Sequence, residues 1–178
     1  MAETSRDIRL MTFRVGFDSF VLDIMSIRQI IAYAGSTGVP KAPEFIEGII
    51  VLRNEVIPIV DLRARLRPEL EPAERTPLVL ILATSAGTIG FKVDEVLRIL
   101  TVDTATILPA PPIVRGLRGE LFIGVVQEND ELHLLLDPET LLSQEEKDEL
   151  EAADLGEGDG TNGTDGTNGT DGTGGTDR

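Results

Sequence analysis

Ile49-Ile-Val-Leu-Arg-Asn-Glu-Val-Ile-Pro-Ile-Val-Asp61 holds two apolar runs, Ile49–Leu52 and Val56–Val60, around the polar turn Arg53-Asn54-Glu55. Short runs rich in β-branched residues and joined by a turn predict a β-hairpin. Pro58 has no amide to give to a ladder, so its strand is an edge or its amide position faces outward. Asp61 stands just before Leu62-Arg63-Ala-Arg-Leu, which predicts an N-capped helical turn. Upstream, Gly38-Val-Pro40-Lys-Ala-Pro43 interrupts any regular element. Pro43-Glu-Phe-Ile-Glu-Gly48 fits one helical turn, with Pro first and Gly just past the end.

The pattern continues in both directions. Met11, Phe13, Val15 and Phe17 alternate with polar or small residues, a period-two strand with one buried face. Asp18-Ser19 reads as its turn and Phe20–Ile24 as the return strand. Ser26–Tyr33 reads as a short turn followed by a strand. Residues 67–77 carry Pro68, Pro72 and Pro77 with three Glu and read as an exposed linker. Leu78–Ala83 and Thr88–Val93 form another hairpin, and Asp94-Glu-Val96 opens a further element. Leu121–Val126 and Leu132–Leu136 flank Asn129-Asp130 as a last hairpin. Asp137-Pro-Glu-Thr predicts a helix start, and Ser143-Gln-Glu-Glu a second helix reaching about Ala153. Eight to ten short strands with few helices predict small barrels or a sandwich.

Composition excludes much chemistry. There is no Cys and one His, His133, so a disulfide framework, a thiolate zinc site, a cysteine nucleophile and a histidine-based triad have no residues to use. His133 lies in an alternating strand with no second His. Asp94-Glu95 and Asp130-Glu131 are adjacent pairs whose side chains point to opposite faces of a strand and form no dyad by themselves. No catalytic residues, cofactor site or metal site emerge, and the chain is expected not to be an enzyme. The start is polar and no window approaches the roughly 18–20 apolar residues of a membrane span. A cytoplasmic protein with no membrane insertion is expected.

The net charge is −15, unevenly placed. Residues 1–142 hold 20 acidic and 14 basic side chains, and residues 143–178 hold 11 and 2. Both parts would repel nucleic acid. Arg53, Arg63, Arg65 and Arg67 form one local basic cluster, a candidate docking surface for an acidic protein. From Asp159 the unit Asp-Gly-Thr-Asn-Gly-Thr repeats with no apolar residue, so residues 154–178 are expected to be a disordered acidic tail.

Several of these pieces together resemble the CheW family of chemotaxis coupling proteins. Pro40, Pro43 and Gly48, then Leu52-Arg53-Asn54 and Pro58 with Asp61-Leu62-Arg63, are similar to the family's order of Pro, Pro, Gly, N-L-R-G, Pro and D-L-R. Gly90, Val93, Asp94 and Val96 resemble its V-G-x-x-V-D-x-V. Ile107-Leu-Pro-Ala-Pro, Phe122-Ile-Gly124-Val and Leu134-Leu-Leu-Asp137 resemble the closing segments. The resemblance implies a mostly β fold of two linked five-stranded SH3-like barrels around a shared hydrophobic region, with short helices and a C-terminal helix, over residues 8–153. It also implies an adaptor without catalysis or cofactor. Its partners would be chemoreceptor cytoplasmic tips and the regulatory domain of a CheA-type histidine kinase, placing it at receptor arrays. The receptor face carried over would be Ile27, Gln29, Ile30, Arg53, Asn54 and Val56. Gln29 stands where the family often has Glu. Asn54 stands where it has Gly, and Asn also tolerates a left-handed turn.

Overall fold

In the computed structural model, residues 5–111 and 121–154 are described. The chain runs β1 (Asp7–Val15), β2 (Asp18–Asp23), β3 (Ile27–Ala32), β4 (Ile46–Leu52), β5 (Glu55–Asp61), α1 (Leu62–Leu66), β6 (Leu78–Thr84), β7 (Gly87–Val93), β8 (Glu95–Asp103), β9 (Phe122–Glu128), β10 (Glu131–Leu136) and α2 (Gln144–Asp154). One five-stranded sheet has the order β8-β1-β2-β10-β9; the other is β3-β6-β7-β5-β4. The fold is mostly β, as the short alternating runs predict.

The two sheets are built on one plan. Each has an edge strand, then an antiparallel hairpin, then a parallel contact to a second antiparallel hairpin. The registers correspond pair by pair. Leu10↔Asp23 through Val15↔Asp18 answer to Val79↔Lys92 through Thr84↔Gly87. Phe122↔Leu136, Gly124↔Leu135 and Glu131↔Glu128 answer to Ile46↔Val60, Gly48↔Ile59 and Glu55↔Leu52, including the same irregularity beside each Gly. Phe13↔Val96 answers to Leu82↔Ile27. Strands β1–β5 and β6–β10 are therefore two copies of one unit. They are exchanged: each sheet takes a hairpin from one copy and three strands from the other.

Each sheet bends its edges together. Thr37, just after β3, exchanges two backbone hydrogen bonds with Ile49 of β4 at 2.8–2.9 Å. Leu108, beyond β8, does the same with Val125 of β9 at 2.7–2.9 Å, and Arg98 of β8 reaches Glu128 of β9 at 2.5 Å. One face of both sheets packs into a shared core that joins Phe13, Phe20 and Leu22 to Leu80, Leu82 and Phe91, together with Leu62 of α1 and Leu141 and Leu142 just before α2. The opposite faces close round separate small clusters: Leu10, Val21, Leu100, Val126 and Leu135 in one sheet, Ile57, Ile59, Val79 and Ile81 in the other. Burial of side chains this size stabilises by about 1.5–3 kcal/mol each. The shared core makes neither sheet complete without the other.

Some local expectations are corrected. The first turn is Gly16-Phe17, not Asp18-Ser19, because Asp18 and Ser19 already pair with Val15 and Arg14, and Gly16 takes the left-handed position at φ 62°. Pro43–Gly48 forms no helix. Ile46 N–H bonds Pro43 O at 2.9 Å in a single turn, and the chain then enters β4, with Gly48 inside the strand. Asp137 starts a turn only, its carboxylate accepting from Glu139 N–H at 2.9 Å. β5 is an internal strand, yet its ladder to β7 begins at Ile59, just past Pro58. At α2 the reading holds: Glu146 N–H bonds Ser143 Oγ while Ser143 N–H bonds the Glu146 carboxylate, a reciprocal capping box. Residues 155–178 of the tail lie outside the described residues.

Candidate docking site at the β4–β5 hairpin

The hairpin that opens the sequence reading ends in a two-residue turn in which Arg53 and Asn54 both have positive φ, 52° and 67°. That is the turn type whose twist suits a tight hairpin, and Asn is among the side chains that accept it best. Directly below, Val51 and Val56 face each other across the strands and remain 70% and 42% exposed. Arg53 is exposed and has no ion pair among the described residues.

The base of the hairpin is held firmly. Lys92 Nζ lies 2.7 Å from Asp61 and 2.8 Å from Glu47, over the Tyr33 ring at 5.0 Å. Burial by itself would lower the Lys92 ammonium, but the Asp61 and Glu47 carboxylates outweigh it and hold its pKa above the ordinary value. Burial pushes the Tyr33 hydroxyl up, though its bond with Ser36 acts the other way. Gly48, at φ 148°, lies against the Thr37 segment: a Cβ there would meet Thr37 O at 2.3 Å.

The six predicted receptor-face residues fall into two groups. Arg53, Asn54 and Val56 share the tip of the β4–β5 hairpin. Ile27, Gln29 and Ile30 lie on β3, where Ile27 packs against the shared core, Gln29 is half-buried and Ile30 is 38% exposed. The two groups meet at one end of the sheet. There Arg28 bonds Thr88 Oγ1 at 2.7 Å and lies 3.7 Å from Glu55, and Thr88 in turn donates to Glu55. Arg28, Thr88 and Val51 are the residues sequence reasoning missed. The run Ile49–Leu52 is apolar throughout, so alternation could not tell which member faces out. The Arg28 link joins strands far apart in sequence and leaves no local signal.

The remaining motif residues serve the frame. The Asp61 carboxylate accepts from Arg63 N–H at 2.8 Å and Ala64 N–H at 3.2 Å, capping α1, and Leu62 is fully buried. Arg63 pairs with Asp94, which also accepts from Gly16 N–H at 2.5 Å, and Arg63 donates to Glu71 O at 2.6 Å. Those bonds fasten α1, the first hairpin and the linker together. Gly90 sits against Ile59, where a Cβ would meet Ile59 Cδ1 at 2.5 Å. Gly124 sits against Ile107, at 2.6 Å from its Cγ2. Val93 is buried and Val96 packs on the shared core; Leu52 packs on the second sheet's own cluster. Pro40 is exposed, and the Pro43 carbonyl closes the turn into β4.

The arginine cluster is not an open basic surface. Arg63 is spent on Asp94, Arg65 on Glu146 at 3.0 Å and on the Phe45 ring at 4.1 Å, and Arg67 on Asp18 at 2.8 Å and Glu69 at 3.3 Å. Only Arg53 of the four is available to a partner. His133 is buried in β10 and bonds Ser19 Oγ at 2.7 Å. Among the described residues no three His, Asp or Glu side chains are grouped to hold a metal, and no helix is long and apolar enough to cross a membrane.

Comparison with known proteins gives this geometry a family. The CheW-like domain family matches residues 9–146. A probable chemotaxis protein CheW of Rhizobium etli is 33% identical over 144 residues, covering 80% of this chain and 92% of that protein. The chemotaxis protein CheW of Treponema pallidum is 29% identical over 154 residues, covering 84% and 91%. The crystal structure of the scaffolding protein TtCheW from Thermoanaerobacter tengcongensis matches with a TM-score of 0.69 at 25% identity, over 76% of this chain and 92% of that one. On the extent of these matches and the shared fold, the chain belongs to the CheW-like domain family.

Proposed function

We propose that this protein is a non-enzymatic adaptor in chemosensory signalling that couples chemoreceptor cytoplasmic tips to the regulatory domain of a CheA-type histidine kinase. Family membership supports the reading, since its relatives carry the names of chemotaxis and scaffolding proteins. The observation that carries the receptor half is the β4–β5 tip. It presents an uncommitted Arg53 on a tight turn beside an exposed Val51–Val56 pair. An apolar patch with an Arg at its margin suits a protein interface, and Arg is among the residues that most often carry interface energy. Work of this kind takes place in the cytoplasm at receptor arrays.

The test is charge reversal. Arg53→Glu changes an exposed turn residue, so the protein should stay folded while receptor-tip affinity falls at least about tenfold, or about 1.4 kcal/mol. Unchanged receptor binding by a folded Arg53→Glu protein contradicts this assignment of the face. A second reading is an interaction module of the same family that works without a kinase, for example in motility regulation. Gln29 favours it, because a neutral side chain stands where the family often carries a charge for its receptor contact. Binding to receptor tips with no binding to any CheA-type regulatory domain would select that reading.

A further inference from the structure

The duplicated fold supplies an internal comparison. His133 and Thr12 are the two buried polar side chains among the described residues, each 1% exposed. They belong to the same face of the β8-β1-β2-β10-β9 sheet as its small cluster of Leu10, Val21 and Leu135. By the matched registers, Thr12 stands where the other sheet has Ile81, and His133 where it has Ile57. The fold therefore accepts isoleucine at both positions, as the second sheet shows. The first sheet instead buries a Thr12 Oγ1 and a His133 Nε2 with no hydrogen-bond partner in the protein. Each such orphan costs roughly 1–3 kcal/mol.

The ends of the two sheets differ in the same way. In the second sheet Arg28 reaches Thr88 and Glu55, at the end of the sheet where Ile57 and Ile81 are buried. At the matching positions the first sheet has Leu97, Ser19 and Glu131. Leu97 cannot pair with Glu131, so that link is missing here. A cavity of about 360 Å³ opens there, lined by Thr12 and His133 with Arg14, Glu95, Arg98 and Glu131. That volume suits one small organic molecule. Arg98 is committed to Glu128 and Glu95 to Arg75. Arg14 on β1 and Glu131 on β10 have no ion pair among the described residues, and they flank β2 on this face.

We propose that this mouth binds a small zwitterion of the free α-amino-acid class, its carboxylate toward Arg14 and its ammonium toward Glu131, over the floor that Thr12 and His133 line. A ligand of one charge sign would leave Arg14 or Glu131 facing a like charge across the cavity. A zwitterion satisfies both.

His133 is the sole histidine, so its ring signals report on the site without assignment ambiguity. The full chain is titrated by NMR with glycine and with glutamine, and with acetate and ethylammonium as single-charge controls, each to about 10 mM, well past the millimolar range where weak ligands saturate. A saturable shift of the His133 ring with glycine or glutamine alone is expected. Arg14→Gln and Glu131→Gln, both exposed, should each weaken it at least about fivefold. Thr12→Ile/His133→Ile, copying the second sheet, should melt at a higher temperature and lose the thermal stabilisation given by the zwitterion. No saturable shift with any compound would show a cavity filled by water only and overturn the proposal. Equal saturation by acetate or by ethylammonium would overturn the ligand class. The exposed variants carry the test even if the double variant does not fold.

Discussion

Replacing Lys92 by Met removes the cation that holds three strands of the second sheet together. Lys92 comes from β7, Asp61 from the end of β5 and Glu47 from β4, and Lys92 Nζ is within 2.7–2.8 Å of both carboxylates. The Lys92 and Asp61 side chains are about 16% and 15% exposed, and Glu47 about 31%. Breaking a buried ion pair by removing one partner costs about 3–5 kcal/mol, because a charge stays buried alone. Asp61 keeps its two amide donors in α1 and Glu47 is partly solvated, which reduces the loss to about 2–3 kcal/mol. Urea unfolding at pH 7, followed by far-ultraviolet circular dichroism, should show a lower midpoint with an unchanged slope. In the unaltered protein the folded Lys92 pKa lies above its ordinary 10.5. Its stabilisation is then fully present below that value and is lost as pH rises through the higher folded pKa. Adding Glu47→Gln to Lys92→Met should recover part of the loss, since neighbours in one network do not add. A Lys92→Met protein within about 0.5 kcal/mol of the original at pH 7 would refute this account of the cluster.

Other outcomes follow from the same frame. Gly48→Ala puts a Cβ against Thr37 O at a φ of 148° and should destabilise by about 2 kcal/mol or more in denaturant titration, loosening the seam between Thr37 and Ile49. Burial lowers the His133 pKa below 6.5, with Arg98 in the same direction and Glu131 and Glu128 opposing. The unfolded chain therefore binds the extra proton first, and the melting temperature should fall as pH drops below about 6.5, a dependence that His133→Ile should flatten. Each sheet draws strands from both copies of the unit, so thermal unfolding of the intact chain should be one transition. The separate pieces 1–67 and 78–154 should each lack native circular dichroism until mixed.

The sequence made the elements legible where the signal was local. Turn residues at Arg53-Asn54 and Asn129-Asp130 and the apolar run Leu78–Ala83 before Thr88–Val93 marked the hairpins, and the Ser143–Glu146 box marked α2. Partner strands were not legible, because β10 beside β2 and β7 beside β5 join residues far apart in the chain. The duplication was hidden for a physical reason. Matched positions need only equal size and facing, so Phe13 can answer to Leu82 and Phe20 to Ile89 with no identity retained. In the hairpin only Gly48, Glu55 and Asp61 recur as Gly124, Glu131 and Asp137, at a close approach, a strand start and a turn cap. The receptor-face residues came from family resemblance rather than residue chemistry, and geometry added Val51 and Arg28 beside them. Counting arginines misled, because the carboxylates that neutralise Arg63, Arg65 and Arg67 come from distant segments.

The most direct test of the central claim is calorimetric binding of the purified protein to the regulatory domain of a CheA-type kinase from the same cell, with the receptor tip titrated into the preformed pair. The coupling account predicts micromolar or tighter binding to the kinase domain and a receptor-containing assembly that Arg53→Glu weakens. A folded protein that binds no such kinase domain in that cell would contradict the coupling role.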